Sequence, residues 1–337
     1  MSKQNIAAFC RKLGDRLGAA ECMAFSGVTE SVDALFEAFQ LGAMDGVFVS
    51  ALAPCRLIKS IMTHGAAPIL CDVSPDSLTM DPRALDAAVR QLVAAGQLYP
   101  RAVIVDHFCG MPAVMHSIKS ICDRMGLILI ENCDKDFGGS FDASLCGTLG
   151  DYALLSLGQS SVFGTGGNGA LVCSMGDSPL TEGISFCDGD GYQSVDPFYG
   201  EALLAAWDKQ DSILAQSRSH ADSLSKVLAD SDFWVQRGSN QRQKSSFGSL
   251  TVIAQSEEHR DRAYAFLEKE GMGDFVRPLH VHSRSCFEKG CRGLKEIENA
   301  AALAPRSIRL DLFGAIHANA MLRLLAAVDA MGKQITE

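Results

Sequence analysis

Residues 101–136 read RAVIVDHFCGMPAVMHSIKSICDRMGLILIENCDKD and place two apolar runs on either side of a helical pattern. The runs at 101–108 and 127–133 are rich in Val, Ile and Leu, which is typical of strands buried on both faces. Between them, 112–125 is a helix candidate. The stretch therefore predicts a β-α-β unit with two parallel strands.

The same alternation extends along the first half of the chain. Further strands are predicted at 46–52, 68–73, 152–157 and 169–174, and further helices at 31–42, 56–64 and 83–95. Asp81 followed by Pro82 is a usual start for a helix. The alternation predicts an α/β fold in three layers, with a mostly parallel mixed sheet covered by helices on both faces.

After about residue 180 the pattern changes to that of a smaller α+β unit. Residues 181–200 are rich in Gly, Asp and Ser and indicate a long loop before a long helix at 200–229. The remaining predicted elements are strands at 249–254 and 307–313 and helices at 257–270 and 315–332. We expect a large domain at 1–180, a connecting loop and helix at 181–230 and a small C-terminal α+β domain at 231–337.

The composition excludes several classes of function. The chain has 337 residues and a formal net charge of -10, so a broad basic face for nucleic acid is not expected. Its 12 cysteines form no C-x-x-C pair, and we expect free thiols in a reducing cytoplasm and no metal site. No apolar run is long enough to span a bilayer, and no signal core is evident, so we expect a cytoplasmic protein without a membrane partner.

Ser26-Gly27-Val28-Thr29 comes just before an amphipathic helix. A small residue and a hydroxyl at a helix N-terminus leave N–H groups available to an anion. An ordinary N-cap by Thr29 or Ser31 would explain the same residues.

Two more segments follow predicted strands. Glu131-Asn132-Cys133-Asp134-Lys135-Asp136 stands at the carboxyl end of a strand, where ligands bind in open α/β sheets, although a solvated loop is the alternative. Ser156 to Ser161 precedes the glycine-rich stretch 164–169, which would let the backbone approach a ligand closely. His107 and His116 are expected to be structural.

Taken in order, these segments resemble the sugar aminotransferases of the DegT or StrS type, which have the fold-type-I architecture of pyridoxal-phosphate (PLP) enzymes. Besides Ser26 to Thr29, the resemblance rests on GAAPILCDV at 65–73, HFCGMPAVMHSI at 107–118 and RPLH at 277–280. It runs nearly end to end. It implies PLP as cofactor, a homodimer whose site forms at the subunit interface, and a small-molecule ligand such as a nucleotide sugar.

The same resemblance assigns roles to individual positions. Its cofactor-binding candidates are Ser26, Gly27, Thr29, Asn132, Ser156 and Ser161. Asn132 replaces the aspartate that pairs with the pyridine nitrogen of PLP, and Lys135 stands at the Gln/His position of the same motif. Ser156 matches the serine that binds the cofactor phosphate, whereas Ser161 replaces the Schiff-base lysine. No lysine occurs between Lys135 and Lys209. The stacking aromatic maps to about Pro54, and the loop that a neighbouring subunit contributes is not recognisable in 181–200.

Three functions follow from these residues. A hydroxyl cannot form an imine, which favours a relative without standard transamination that binds a ligand or serves as a partner subunit in sugar or secondary-metabolite biosynthesis. That relative would be a homodimer, or a heteromer with an active homologue. The second is altered chemistry in the same cleft, with Lys135, Asp134 or Ser161 as catalytic candidates and Asp136 as a further acid or base. It would use an imine on Lys135 or a non-covalent cofactor. The third is an ordinary nucleotide-sugar aminotransferase.

Overall fold

A seven-stranded sheet lies at the centre of the larger part of the described chain. The computed structural model describes residues 2–134, 137–165, 169–176, 199–238, 240–279, 291–292 and 297–335. The first nine strands are β1 (Glu21–Phe25), β2 (Asp45–Ser50), β3 (Ala67–Cys71), β4 (Tyr99–Asp106), β5 (Ile128–Asn132), β6 (Ser140–Phe141), β7 (Ser144–Leu145), β8 (Tyr152–Ser156) and β9 (Ala170–Ser174). The large sheet has the order β1-β9-β8-β5-β4-β2-β3.

The sheet is mostly parallel, as predicted. Strands β3, β2, β4, β5 and β8 run parallel to one another, and β9 is antiparallel to both β8 and β1. The sequence did not reveal β1, an edge strand, because its residues ECMAF lack a continuous apolar run and four of the five are only partly buried. Apart from β9, all strands of this sheet present their carboxyl ends at the same edge.

Helices cover both faces of the large sheet. They are α1 (Ser2–Leu17), α2 (Val28–Ala38), α3 (Cys55–Thr63), α4 (Pro82–Ala95) and α5 (Met115–Met125). Val47 and Val49 of β2 pack with α2 and α3, whereas Phe48 between them packs with α4 and α5. This period of two is what a strand buried on both faces requires, and each such side chain contributes roughly 1.5–3 kcal/mol.

A smaller antiparallel sheet follows the long helix α6 (Tyr199–Val227). The strands after α6 are β10 (Trp234–Val235), β11 (Gln243–Lys244), β12 (Ser249–Ile253), β13 (Val276–Pro278) and β14 (Ser307–Asp311). The helices in the same part of the chain are α7 (Glu257–Lys269), α8 (Glu298–Leu303), α9 (Leu312–His317) and α10 (Met321–Gln334). The small sheet has the order β10-β12-β14-β13, and β11 pairs with β6 in a three-stranded sheet with β7. No helix among the described residues is long and apolar enough to cross a membrane.

One predicted helix is wrong in detail. The helix expected at 315–332 is two helices, α9 and α10, separated by a short break. Asn319 in that break has a φ of 54°, the left-handed conformation that asparagine tolerates better than most residues. Most of the loop expected at 181–200 lies outside the described residues.

Residues 107–113 join the small sheet to the large one. The carbonyl of Gly110 accepts hydrogen bonds from Ser246 N at 3.0 Å and from Ser245 Oγ at 2.8 Å. Gly110 has a φ of +83°, and a Cβ added there would lie 2.7 Å from Phe247 N. Only glycine fits this contact. Backbone packing therefore accounts for the glycine at position 110 of the segment 107–118.

We expect Gly110→Ala to lower the free energy of unfolding by about 3 kcal/mol or more, from left-handed strain plus displacement of the contacting backbone. Gly96→Ala is the matched control, because Gly96 has a φ of +63° with nothing within 4 Å of the added Cβ. The control should cost about 1 kcal/mol, from left-handed strain alone. Urea unfolding of both variants measures the difference. Equal losses would contradict the inferred contact.

Candidate functional site

The carboxyl edge of the large sheet brings several of the sequence-predicted residues to one side of the molecule. Ser156 and Asn132 are the last residues of β8 and β5, and Ser26 directly follows β1. Phe25 and Ser156 both pair with Ala170 of β9, so the ends of β1 and β8 lie two strand spacings apart, about 10 Å. Asp106, the last residue of β4, is the register partner of Asn132.

A cleft of about 360 Å³ lies between this edge and the small sheet. Its charged and polar lining comes from both sides. The large-sheet side contributes Arg56, Asp106, His107, Asn132 and Asp134, and β12, β13 and β14 contribute Ser249, Arg277 and Arg309. Pro54 also lines it, whereas Ser26, Gly27, Thr29, Ser156 and Ser161 do not. Lys135 and Asp136 lie outside the described residues.

Asn132 bridges the side chain of Asp106 and the backbone of Asp134 on the large-sheet wall. Its amide nitrogen donates to Asp106 Oδ1, and its amide oxygen accepts from Asp134 N at 3.3 Å. Asp134 in turn forms an ion pair with Arg56. Asn132 at the end of β5 is thus hydrogen-bonded to Asp106 at the end of β4, and the carboxylate of Asp106 lines the cleft.

Burial raises the pKa of Asp106 from its ordinary value of 3.8 to about 6. The hydrogen bond from Asn132 and the positive charge of Arg56 lower it, and the nearby Asp134 raises it further. Its second oxygen, Oδ2, is buried and accepts no hydrogen bond from the described residues. Near neutral pH the Asp106 carboxylate is therefore charged, and its Oδ2 accepts no hydrogen bond from the described residues.

Four buried polar atoms of the cleft lack a hydrogen-bond partner among the described residues. They are Arg56 Nε, Asp106 Oδ2, Ser249 Oγ and Arg309 Nε. An unsatisfied buried donor or acceptor costs about 1–3 kcal/mol, and native proteins have few of them. Their concentration in one cleft indicates a site that a polar ligand or water completes.

The N-terminus of α2 is a second polar site at the same edge. Gly27 is the N-cap residue, in an extended conformation, and no side chain caps the helix. The alternative of a cap by Thr29 or Ser31 is therefore wrong: Thr29 is exposed, and Ser31 Oγ donates to Val28 O at 2.7 Å. Ser26 Oγ is buried and has no partner among the described residues. These groups fit an anion such as a phosphate.

The two serines after β8 are engaged within their own turn. Ser161 Oγ donates to Gly158 O at 2.7 Å, and Ser156 Oγ accepts from Gly158 N at 3.2 Å. Ser161 is buried, and its carbonyl oxygen lies 3.1 Å from His317 Nε2. The hydroxyls and N–H groups described here fit the phosphate of PLP. No lysine among the described residues lines the cleft.

Glu131 and His107 form a buried hydrogen-bonded pair, of which His107 also lines the cleft. Glu131 is fully buried and accepts hydrogen bonds from His107 Nε2 at 2.9 Å and from the backbone N–H groups of Gly147 and Gly150 at 2.9 and 2.6 Å. His107 Nδ1 accepts from Ala113 N at 3.1 Å, which places the proton on Nε2. Burial acts to raise the pKa of Glu131, but these hydrogen bonds outweigh it, and the pKa is lowered.

A larger cavity of about 1080 Å³ lies beside α6 and β11. It contains none of the described candidate residues. Its Arg218 donates to the carbonyl oxygens of Gly138 at 2.8 Å and Ser245 at 3.2 Å, so this guanidinium is already engaged. The smaller cleft, where the unpartnered atoms converge, is the stronger candidate for function.

A mostly parallel sheet between two helical layers, with a small antiparallel sheet closing a cleft over the strand ends, defines the fold-type-I class of PLP transferases. Solved structures agree. An aminotransferase from Brucella abortus superposes with a TM-score of 0.85 at 20% identity, covering 98% of this chain and 91% of that chain. A 3-amino-5-hydroxybenzoic acid synthase gives 0.84 at 18% identity, covering 98% and 90%. At such identities the likeness shows the fold alone.

The chain belongs to the DegT/DnrJ/EryC1/StrS aminotransferase family, whose model matches residues 1–329. An L-glutamine:2-deoxy-scyllo-inosose aminotransferase of Streptomyces kanamyceticus is 29% identical over 66% of this chain and 50% of its own length. A pleiotropic regulatory protein of Geobacillus stearothermophilus is 26% identical over 85% of this chain and 78% of its own length. The chain spans half or less of the length of the three Streptomyces inosose aminotransferases compared first.

Sequence reasoning missed several residues of the cleft. Asp106 stands at the end of the apolar run of β4. A carboxylate at the carboxyl end of a strand was the reason for selecting Asp134, and the same reasoning could have selected Asp106. Arg309 and Ser249 gave no signal, because they lie in or beside predicted strands of the small sheet, and only the docking of that sheet places them at the cleft.

We expect Asp106→Asn to stabilise the protein at pH 8 by about 3 kcal/mol relative to the parent. The raised pKa means that the contribution of Asp106 to stability is complete below pH 4 and is lost as the pH rises through about 6. Urea unfolding at pH 4, 6 and 8 measures the difference between the two proteins, which should vanish near pH 4. A difference that is independent of pH would contradict a buried ionising carboxyl.

Glu131→Gln should destabilise the protein by about 3 kcal/mol at neutral pH, because it replaces a carboxylate acceptor in a buried network. Since the pKa of Glu131 is lowered, its contribution is present above the ordinary carboxyl range and is lost in acid. The difference in unfolding free energy should therefore shrink as the pH falls. Glu258→Gln on the exposed start of α7 is the control and should change stability little.

Proposed function

We propose that this protein binds a small anionic ligand in the cleft and does not carry out lysine-dependent transamination. One correspondence carries the proposal: the family resemblance places Ser161 at the position of the Schiff-base lysine, and the hydroxyl of Ser161 donates to Gly158 O. The cationic groups that line the described cleft are all guanidinium groups. A guanidinium remains protonated in proteins and cannot serve as the nucleophilic amine of an imine.

The charge of the cleft supports an anionic ligand. Three arginines, Arg56, Arg277 and Arg309, face two carboxylates, Asp106 and Asp134. Arg56 and Asp134 already pair with each other. The excess of positive charge contrasts with the net charge of -10 of the whole chain, so it is a local property of the site.

The biological role that fits best is ligand binding or subunit pairing in sugar or secondary-metabolite biosynthesis. The inosose aminotransferases among the relatives support that setting. The family resemblance, with its site at a subunit interface, supports a dimer. A chain that lacks the lysine could complete the site of an active homologue, or pair with a second copy of itself around a shared ligand. A nucleotide sugar is the ligand class that the resemblance favours.

Ordinary nucleotide-sugar transamination is the second candidate. Family membership and the names of the relatives favour it as strongly as they favour a binding role. It requires an amine that reaches the cofactor aldehyde. Lys135, three residues beyond Asn132, is the nearest source of such an amine in the sequence, and altered chemistry in the same cleft would depend on the same residue.

Incubation with PLP followed by borohydride reduction and intact-mass measurement separates these functions. We expect the parent protein to gain no reduced PLP adduct. Ser161→Lys, which places an amine at the family position, should gain one adduct and an imine absorption band. Thermal unfolding confirms that this variant is folded.

Lys135→Ala is the matched control. An adduct in the parent that disappears in Lys135→Ala would support altered chemistry and contradict the proposal. Turnover of an amino donor by the parent at ordinary rates would favour the second candidate. If the parent shows neither a reduced PLP adduct nor turnover of an amino donor, the result supports a function without a lysine imine, whatever Ser161→Lys does.

A further inference from the structure

A cluster of thiols lies between α1 and the face of the large sheet that α1 covers. The apolar cluster that contains Phe9 and Leu13 of α1 also contains three cysteines, and two more cysteines pack against it. These five are Cys133, Cys146, Cys173, Cys10 and Cys22. All five are free thiols in this structure. Strand register decides which of their sulfurs can react with each other.

Cys22 and Cys173 are directly opposite each other on neighbouring antiparallel strands, β1 and β9. Both side chains pack on the α1 side of the sheet, whereas the next residues, Met23 and Val172, pack in the cluster on the other face. Opposite residues of an antiparallel pair have Cα atoms about 4.5–5.5 Å apart, and a disulfide spans Cα separations of about 4.4–6.8 Å. The backbone of the two strands therefore already meets the requirement for a disulfide.

Strand β1 can adjust to a bond with β9 because it lies at the edge of the sheet. Within the described sheet it pairs with β9 alone, so a small shift towards that partner disrupts no second strand pair. A Cβ added to Gly14 of α1 would lie 3.6 Å from the sulfur of Cys22. The helix thus approaches this sulfur with a residue that carries no side chain, which leaves the sulfur space to rotate.

The two thiols differ in exposure, and this difference decides the order in which they react. Cys22 is partly exposed, whereas Cys173 is fully buried. Burial and the neighbouring Cys22 raise the pKa of Cys173 well above its ordinary value of 9.0. Cys173 is therefore a poor nucleophile towards a reagent in solution, and Cys22 meets such a reagent first.

Cys10 is a third sulfur close to this pair. It interacts electrostatically with both Cys22 and Cys173, and burial raises its pKa from 9.0 to about 12. It belongs to α1, so no strand register holds it opposite Cys22. Cys10 is the alternative partner that an experiment must separate from Cys173.

We propose that Cys22 and Cys173 are a site of reversible oxidative modification, at which a hydroperoxide converts the two thiols into a cross-strand disulfide. In the first step the Cys22 sulfur attacks hydrogen peroxide: an S–O bond forms, the O–O bond breaks, and hydroxide leaves as water with the thiol proton. In the second step the Cys173 sulfur attacks the sulfenic sulfur: the S–S bond forms, the S–O bond breaks, and hydroxide takes the Cys173 proton as a second water. The pair loses two electrons and two protons, which the peroxide gains.

The site lies away from the cleft, so this inference goes beyond the proposed function. Neither cysteine lines the cleft. Strand β1 ends at Phe25, directly before Ser26 and Gly27 at the start of α2. A covalent bond at Cys22 would tie the edge strand that leads to this anion site to the rest of the sheet.

Peptide mapping after oxidation tests the assignment. Reduced full-length protein is treated with a small excess of hydrogen peroxide, the remaining thiols are blocked with N-ethylmaleimide, and a non-reduced digest is analysed by mass spectrometry. We expect the Cys22–Cys173 crosslink in at least about tenfold excess over any other pair, because the sheet holds these two sulfurs close together. Dithiothreitol should restore both thiols.

Cys71 is the internal control, because it is buried in β3 opposite Ser50 and has no cysteine as its register partner. It should stay reduced in the same sample. Cys173→Ala should leave Cys22 as a sulfenic acid that dimedone traps, whereas Cys10→Ala should form the crosslink as the parent does. Thermal unfolding confirms that each variant is folded, and the crosslink in the parent is measured independently of the variants.

Three results would overturn the proposal. One is a crosslink between Cys10 and Cys22, and another is a mixture of pairs like the one that urea-unfolded protein forms. The third is a peroxide dose that oxidises the exposed Cys55 but leaves Cys22 and Cys173 reduced. No step uses PLP or a ligand of the cleft, so these outcomes are independent of the proposed function.

Discussion

The backbone contact between Gly110 and residues 245–247 holds the small sheet over the strand ends of the large one. Everything proposed for the cleft depends on it, because the two walls belong to different sheets. The contact uses a left-handed glycine whose carbonyl oxygen accepts two hydrogen bonds at once. A Cβ at this position would lie 2.7 Å from Phe247 N and Ser246 Oγ, so the segment that leads into β12 would have to shift.

The carboxylate of Asp106 lowers the stability of the folded protein at neutral pH. Asp106 is buried, and its pKa of about 6 means that the folded protein must ionise it against desolvation at neutral pH. An asparagine in that position would avoid the penalty and could still bond to Asn132. Native sites often retain such destabilising groups where a ligand uses them. In contrast, Glu131 is equally buried but fully hydrogen-bonded, so its charge stabilises the fold.

Family membership and chemistry are separate questions in this chain. The sheet order, the helical layers and the 107–118 segment follow the family, and these are matters of packing and backbone geometry. Function resides in the side chains at the strand ends. There, the resemblance predicts that Ser161 and Asn132 stand in place of a lysine and an aspartate, and the structure shows three arginines and two aspartates lining the cleft.

The sequence by itself determined the α/β alternation, and it predicted the strand ends as the place of the site and the substitutions at Asn132 and Ser161. These are readable because the periodicity of apolar residues and the order of a motif are local properties of the chain. Only the tertiary structure decided that Asp106 is the carboxylate at the cleft, that Arg277 and Arg309 are opposite each other, and that α2 begins without a side-chain cap. Cross-strand register and the docking of one sheet on another join residues far apart in the chain, and no local pattern records which of them will meet.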